Sequence, residues 1–247
     1  MRQQVRESTG FLDALERLRL AQKTAKGAPL YSLYVNRPLG RLFAAAAFRV
    51  GLTPNQVTAV SAVLTFAGIG VLGLAPATFP VGMLVAALLV LGYALDAADG
   101  QLARLRGGGS LVGEWLDHLT DSVKVVVLHL AVAICLWRSF DLRPAWLLVP
   151  LVFAAASSVH FFGMILVELL GRLERAKTGT PAPVVIPSRL RTALKLPMDY
   201  GALCVAFLLL GWHPGFLTLY TFLAAGQTGY LVLVARKWTR DVAALEA

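Results

Sequence analysis

Charge is scarce in this 247-residue chain: 15% of its residues are Asp, Glu, Lys or Arg, and 57% are apolar. Soluble proteins average about 25% charged and 45–50% apolar residues. That balance excludes an ordinary soluble domain and leaves a polytopic membrane protein, as does the mean hydropathy of +0.67. Cysteine is nearly absent. Cys135 and Cys204 are the only two, each in an apolar run without a C-x-x-C partner, so a buried, inert role is expected and neither redox nor zinc chemistry is supported. The opening residues are charged and carry no apolar stretch, so a secretory signal is not expected there. At about 20 apolar residues per span, the length suits one helical bundle with short extras and leaves no room for a second large domain.

The formal net charge is +9. In a soluble protein this would suggest nucleic acid, but here the placement of the charges decides otherwise. Nine Lys and Arg precede Thr53, two are Arg104 and Arg106, six lie from Arg172 to Lys195, and three are Arg236, Lys237 and Arg240. With a cytoplasmic N-terminus and six spans, all of these fall on the cytoplasmic side, and only Arg138 and Arg143 fall outside. This is the positive-inside asymmetry of a membrane protein, and the basic surplus faces anionic lipid rather than nucleic acid.

Residues 11–26 place Phe11, Leu15 and Leu18 on one helical stripe among Arg and Lys. The pattern predicts a basic amphipathic helix on the membrane surface, with packing on the bundle as the alternative. A second amphipathic segment, roughly 39–50, leads to Thr53-Pro54, a helix start with an N-cap hydroxyl and Pro at the first position. The spans expected from there are 55–74, 81–104, 111–137, 145–170, 196–210 and 216–235. The fold expected is therefore all-α: a polytopic membrane bundle of six transmembrane helices preceded by a cytoplasmic amphipathic helix. Residues 1–52 form the juxtamembrane segment and 53–247 the six-span domain.

Inside this apolar pattern stand Asp96, Asp99, Asp117 and Asp121. An ionised Asp at the centre of a span costs roughly 2.5–3.5 kcal/mol on insertion scales and persists mostly where it binds ions or substrates. Residues three and four apart share a helix face. Asp96, Asp99 or Gly100, and Ala103 thus make one stripe, and Gly113, Asp117 and Asp121 another. The short turn Gly107-Gly108-Gly109-Ser110 between them makes the two helices antiparallel neighbours, so all four carboxylates are expected to line one cavity. Bare carboxylates at that separation repel, and a divalent cation reverses the sign. Oxygen-only ligands favour Mg2+ or Mn2+ over zinc, and Mg2+ completes its shell with water and substrate phosphate. A phosphorylated substrate, such as a diphosphate, follows. Gly100, Ala103 and Gly113 let a flat group approach the backbone, with close helix packing as the plainer reading. Arg104 is placed to pair with phosphate or to snorkel. Lys124, one turn past Asp121, requires an anionic partner, either Asp121 itself or an acceptor phosphate. Arg189 and Arg191 in the basic loop would meet the same acceptor phosphate, although positive-inside topology also explains them. His118, His129 and His160 read as packing residues.

The run Asp96-x2-Asp99-Gly100-x2-Ala103-Arg104-x8-Gly113-x3-Asp117-x3-Asp121 resembles, at every fixed position, the signature of the CDP-alcohol phosphotransferase family. Thr53-Pro54-Asn55-Gln56-Val57-Thr58 resembles that family's nucleotide-contacting segment. The resemblance implies transfer of a phosphoalcohol from a CDP-alcohol to a second alcohol with release of CMP. It implies that Asp96, Asp99, Asp117 and Asp121 hold two Mg2+ or Mn2+ ions and that Asp121 is the general base. Pro54, Asn55, Thr58, Gly100, Ala103, Arg104, Ser110 and Gly113 would then lie along the CDP moiety, and Lys124, Arg189 and Arg191 toward the acceptor. It also implies a homodimer. Two metals neutralising a diphosphate and a carboxylate deprotonating a hydroxyl form a coherent mechanism.

Within the family the commonest role is phospholipid synthesis from CDP-diacylglycerol, which is the role expected here, in a bacterial cell membrane with both termini and the site cytoplasmic. Val35-Asn36-Arg37 and Gly113-Glu114-Trp115-Leu116-Asp117 also look like members that make inositol-phosphate diesters. Asp117-His118-x2-Asp121-Ser122 is similar to the choline and ethanolamine phosphotransferases, whose donor is soluble. Two other classes use or carry divalent metal: intramembrane prenyltransferases, whose carboxylate spacing differs, and cation carriers, whose ligands sit nearer mid-membrane. Release of CMP separates the first reading from both.

Overall fold

The computed structural model describes residues 10–20, 29–180 and 196–245. Among these, all regular structure is helical: α1 Phe11–Leu20, α2 Arg37–Arg49, α3 Pro54–Leu74, α4 Phe79–Leu105, α5 Leu111–Ser139, α6 Leu148–Thr178, α7 Tyr200–Ala206 and α8 His213–Ala243. A π-helical turn, Ser32–Asn36, runs directly into α2.

The helix ends follow from local chemistry. Thr53 and Gln56 form a reciprocal capping box: Gln56 N donates to Thr53 Oγ1 (3.3 Å) and Thr53 N to Gln56 Oε1 (2.8 Å), with Pro54 at the first position. Both otherwise orphaned donors are satisfied. The turn from α4 to α5 needs Gly107 and Gly108, whose φ values of 98° and 135° no side chain tolerates well. Ser110 then caps α5 by accepting from Gly113 N at 3.0 Å.

α3 and α4 cross closely because small residues meet there. Ser61 Oγ donates to the Gly92 carbonyl at 2.8 Å, and a Cβ at Gly92 would stand 2.2 Å from Thr65 Oγ1. One apolar cluster joins Leu72, Leu89, Leu128, Val132, Leu203 and Tyr220 across α3, α4, α5, α7 and α8. A second lies at the other end of the bundle, where Ala14 and Leu18 of α1 and Ala44 and Ala45 of α2 pack on Val57, Ala98 and Leu102. α1 is thus docked on the bundle through Ala14 and Leu18, while Leu12 points outward, 76% exposed.

Among the described residues, five helical segments are long and apolar enough to cross a membrane: Pro54–Leu74, Phe79–Leu105, Leu111–Ser139, Pro144–Thr178 and His213–Ala243. Their outward faces carry large apolar side chains such as Trp137, Phe162 and Leu233, as lipid contact requires. The expected span at 196–210 takes a different form. It is a short apolar helix, Tyr200–Leu209, whose last turn is 3-10. At 1.5 Å per residue it covers about half of a ~30 Å hydrocarbon core. It is wedged against α4: a Cβ at Gly82 would meet the Phe207 carbonyl at 2.4 Å, and one at Gly211 would meet Phe79 N at 2.4 Å.

Candidate metal and phosphate site

α4 and α5 are joined by the Gly107–Ser110 turn, and carboxylates from both helices come together. Asp96, Asp117 and Asp121 each offer a carboxylate oxygen, and the three atoms lie within 4.8 Å of one another. All three side chains are half-buried. Asp99 is not one of these three. Asp99, 7% exposed, receives a hydrogen bond from Thr58 Oγ1 across the α3–α4 interface. Three residues advance a helix by about 300°, so Asp99 is rotated from Asp96 toward α3, where Thr58 supplies the donor.

Lys124 closes the triad from the membrane interior. Only 7% exposed, it pairs with Asp121 and sits 3.8 Å from Asp96 Oδ1. Its ammonium lies 5.0 Å from the centre of the Tyr200 ring, a favourable cation–π placement. Tyr200 packs edge-on against Tyr93, centroids 5.1 Å apart, and Tyr93 stacks on Tyr31. Asp199 anchors this ladder: its carboxylate accepts from Tyr31 N at 2.8 Å and from Gly201 N at 3.1 Å. Burial, together with the neighbouring Cys204 and Asp199, holds the Tyr31 phenol above its ordinary pKa.

Toward the α4–α5 turn, several of the residues expected along a nucleotide have one another as near neighbours. A Cβ at Gly113 would stand 3.1 Å from Asn55 Oδ1 and 3.2 Å from Ser110 Oγ, and one at Gly100 would stand 3.6 Å from Arg104 Nη1. Pro54 offers its carbonyl to the Thr58 hydroxyl at 3.1 Å. The Ala103 carbonyl is taken up by the turn, accepting from Gly108 N at 2.9 Å. Arg104 Nε is buried and has no hydrogen-bond partner among the described residues, the condition of a donor aimed at a ligand. Arg189 and Arg191 lie outside the described residues.

The histidines are accounted for by packing. His118 sits 4.0 Å from Glu114 and meets Phe161 edge-on. His129 Nδ1 bonds the Tyr220 hydroxyl at 2.7 Å, and His160 Nδ1 accepts from Gln227 Nε2 at 3.1 Å. Glu114 and Glu168 share Arg172, each at 2.6 Å. Both cysteines are buried and free. Sequence reasoning missed Tyr200 and Asp199. An Asp ahead of Tyr-Gly is an N-cap signal, but nothing in the pattern shows that it places Tyr200 beside Lys124.

Three carboxylates against one ammonium leave surplus negative charge on an oxygen-only donor set. That set fits a hard divalent cation.

Residues 51–238 match the CDP-alcohol phosphatidyltransferase family. The chain belongs to that family. Among curated CDP-alcohol phosphatidyltransferase relatives, it is 36% identical over 113 residues to the phosphatidylinositol phosphate synthase of Corynebacterium glutamicum, covering 45% of this chain and 49% of that one. To the phosphatidylinositol phosphate synthase of Mycobacterium marinum it is 31% identical over 126 residues, covering 50% and 49%. The chain thus spans about half the length of the curated relatives it matches. Among solved structures, it resembles Mycobacterium tuberculosis phosphatidylinositol phosphate synthase with CDP-DAG bound. The TM-score there is 0.53 at 22% identity, over 83% of this chain and 93% of that one. The same enzyme in complex with manganese and citrate gives a TM-score of 0.51 at 22% identity, over 81% and 87%. At that identity the likeness establishes a shared fold.

Proposed function

We propose that this chain transfers the phosphatidyl group of CDP-diacylglycerol to the hydroxyl of an acceptor alcohol and releases CMP. The observation that carries the reading is the meeting of Asp96, Asp117 and Asp121 within 4.8 Å, with Asp96 on the helix whose Arg104 Nε has no hydrogen-bond partner among the described residues. Family membership and the curated synthases support it, and the relative solved with CDP-DAG supports the choice of donor.

Asp96, Asp117 and Asp121 hold divalent metal in this reading, with Asp99 added as a fourth ligand and two Mg2+ or Mn2+ ions in all; the manganese-bound relative supports the metal class. Bound there, the ions would neutralise the diphosphate and stabilise the leaving phosphate oxygen. Pro54, Asn55, Thr58, Gly100, Ala103, Ser110 and Gly113 shape the CDP seat, and Arg104 donates to the diphosphate. Lys124 fixes the orientation of Asp121, and Arg189 and Arg191 draw the acceptor to the mouth. Asp121 accepts the acceptor's hydroxyl proton. The alkoxide oxygen bonds to the phosphorus bearing diacylglycerol as that phosphorus loses its bond to the CMP oxygen.

The same reading makes residues 53–247 a six-span domain, with the α7 segment as a short fifth span, and residues 1–52 its cytoplasmic juxtamembrane segment. It places the site and both termini in the cytoplasm of a bacterial cell, on the basic side of the bundle. The working form is a homodimer. Purified protein in lipid with CDP-diacylglycerol, Mn2+ and an acceptor panel tests the function. Acceptor-dependent CMP release that Asp121→Asn abolishes is expected. Equal release by Asp121→Asn would refute the assignment.

A further inference from the structure

Lys124 is a lysine inside a long apolar helix, 7% exposed, and its ammonium faces groups of two kinds. Asp121 and Asp96 are carboxylates, the first an ion pair and the second 3.8 Å away. The Tyr200 ring is neutral, its centre 5.0 Å from the ammonium. The two kinds respond differently to a divalent cation. A cation held by Asp96 and Asp121 draws on the oxygens that pair with Lys124, and it repels the ammonium beside them. An ammonium left without a partner at this depth is costly. The face of an aromatic ring attracts an ammonium without carrying a charge of its own, so Tyr200 can hold Lys124 while the carboxylates are engaged elsewhere.

The surrounding fold fixes that ring from several directions. Tyr200 opens α7, a helix of seven residues, which is too short to sustain itself, so its place is set by what anchors it. Asp199, 1% exposed, caps the helix through Gly201 N at 3.1 Å and also accepts from Tyr31 N at 2.8 Å. The Tyr31 ring lies so close to the α7 backbone that a Cβ at Gly201 would stand 1.9 Å from its Cδ1. Tyr93 of α4 meets Tyr200 edge-on, with ring centroids 5.1 Å apart. The Tyr200 hydroxyl is buried and has no nitrogen or oxygen partner among the described residues. The part of this side chain that serves the site is therefore the ring.

We propose that Tyr200 is a positioning residue of the metal site: its ring face, set by Asp199 and Tyr31, keeps the Lys124 ammonium when Asp96 and Asp121 take divalent metal, so that lysine and metal share the site. Without the ring, the site would have to give up affinity for the metal to keep the ammonium paired. This rests on the metal reading proposed above and adds to it the residue that makes the two cations compatible.

The test uses the full chain in lipid nanodiscs with Mn2+ alone, the bound ion read by electron paramagnetic resonance. Wild-type protein that binds no Mn2+ sinks the metal reading, and this proposal with it. With Mn2+ bound, Tyr200→Leu should raise its Kd about fivefold or more, whereas Tyr200→Phe, which keeps the ring, should hold it within about twofold. Fluorinating the phenylalanine ring at position 200 strips its negative face at nearly unchanged shape, and should raise the Kd stepwise with each fluorine. In the Lys124→Met background, Tyr200→Leu should shift the Kd by less than about twofold, because the ammonium that the ring holds is gone. A Kd that ignores both the leucine change and ring fluorination would overturn the proposal. So would a Tyr200→Phe loss as large as that of Tyr200→Leu, or equal losses with and without Lys124→Met.

Discussion

Replacing Lys124 by Met removes the one ammonium that two carboxylates of the site share. Lys124 has a side-chain exposure of 8%, and Asp96 and Asp121 have 20% and 24%. Truncating one partner of a buried ion pair costs roughly 3–5 kcal/mol, because the remaining charge is stranded. Here two carboxylates are stranded, but water reaches both, so the lower end applies, about 3 kcal/mol. At roughly 2–4 °C per kcal/mol for a chain of this size, Lys124→Met should melt about 6–12 °C below wild type in metal-free detergent solution. Methionine matches the length of the lysine stem, so packing loss contributes little. Saturating Mn2+ should recover most of the deficit, since a cation then faces the same carboxylates, while CMP release stays at least tenfold reduced. Differential scanning fluorimetry with and without Mn2+ reads both states. A metal-free melting point within about 2 °C of wild type would refute the reasoning.

Three further outcomes are expected. Asp96→Asn, Asp117→Asn and Asp121→Asn should each abolish the Mn2+-induced rise in melting temperature, and Asp121→Asn should lower turnover by 10²-fold or more; a full Mn2+ shift in all three would remove the metal assignment. Gly92→Ala brings a Cβ within 2.2 Å of Thr65 Oγ1 and should destabilise the bundle by about 1–3 kcal/mol, partly relieved in Gly92→Ala/Thr65→Ala, as read by thermal unfolding. Gly113→Ala pushes on Asn55 Oδ1 and Ser110 Oγ, at 3.1 and 3.2 Å. It should raise the KM for CDP-diacylglycerol several-fold with little change in melting temperature, and an unchanged KM would dissociate this corner from the donor.

The features legible in the sequence were those that depend on one helix at a time. The periodicity of Asp96 with Ala103 and of Gly113 with Asp121, the capping residues Thr53 and Ser110, and the glycine turn between α4 and α5 are all intrahelical or short-range signals, and the structure realises each one. The features that were not legible depend on how helices rotate against one another. Asp99 turns to Thr58 because α3 happens to present a hydroxyl at that crossing, which no spacing within α4 can reveal. Lys124 announced its need for an anion, but its second contact, Asp96, lies on another helix. The Tyr31–Tyr93–Tyr200 ladder joins three segments far apart in the chain. The helix carrying Tyr200 is too short for a hydropathy window to reveal how it ends.

The central claim is that the carboxylates of α4 and α5 serve transfer at phosphorus, with a CDP-alcohol as donor. The measurement that tests it most directly follows CDP-diacylglycerol carrying 32P at the phosphorus bonded to diacylglycerol, incubated with the purified chain, Mn2+ and an acceptor alcohol. The account predicts that the label passes into a new phospholipid while unlabelled CMP is released in equal amount, and that Asp121→Asn stops both. Label recovered in CDP, which would mean cleavage of the carbon–oxygen bond to diacylglycerol, would contradict it.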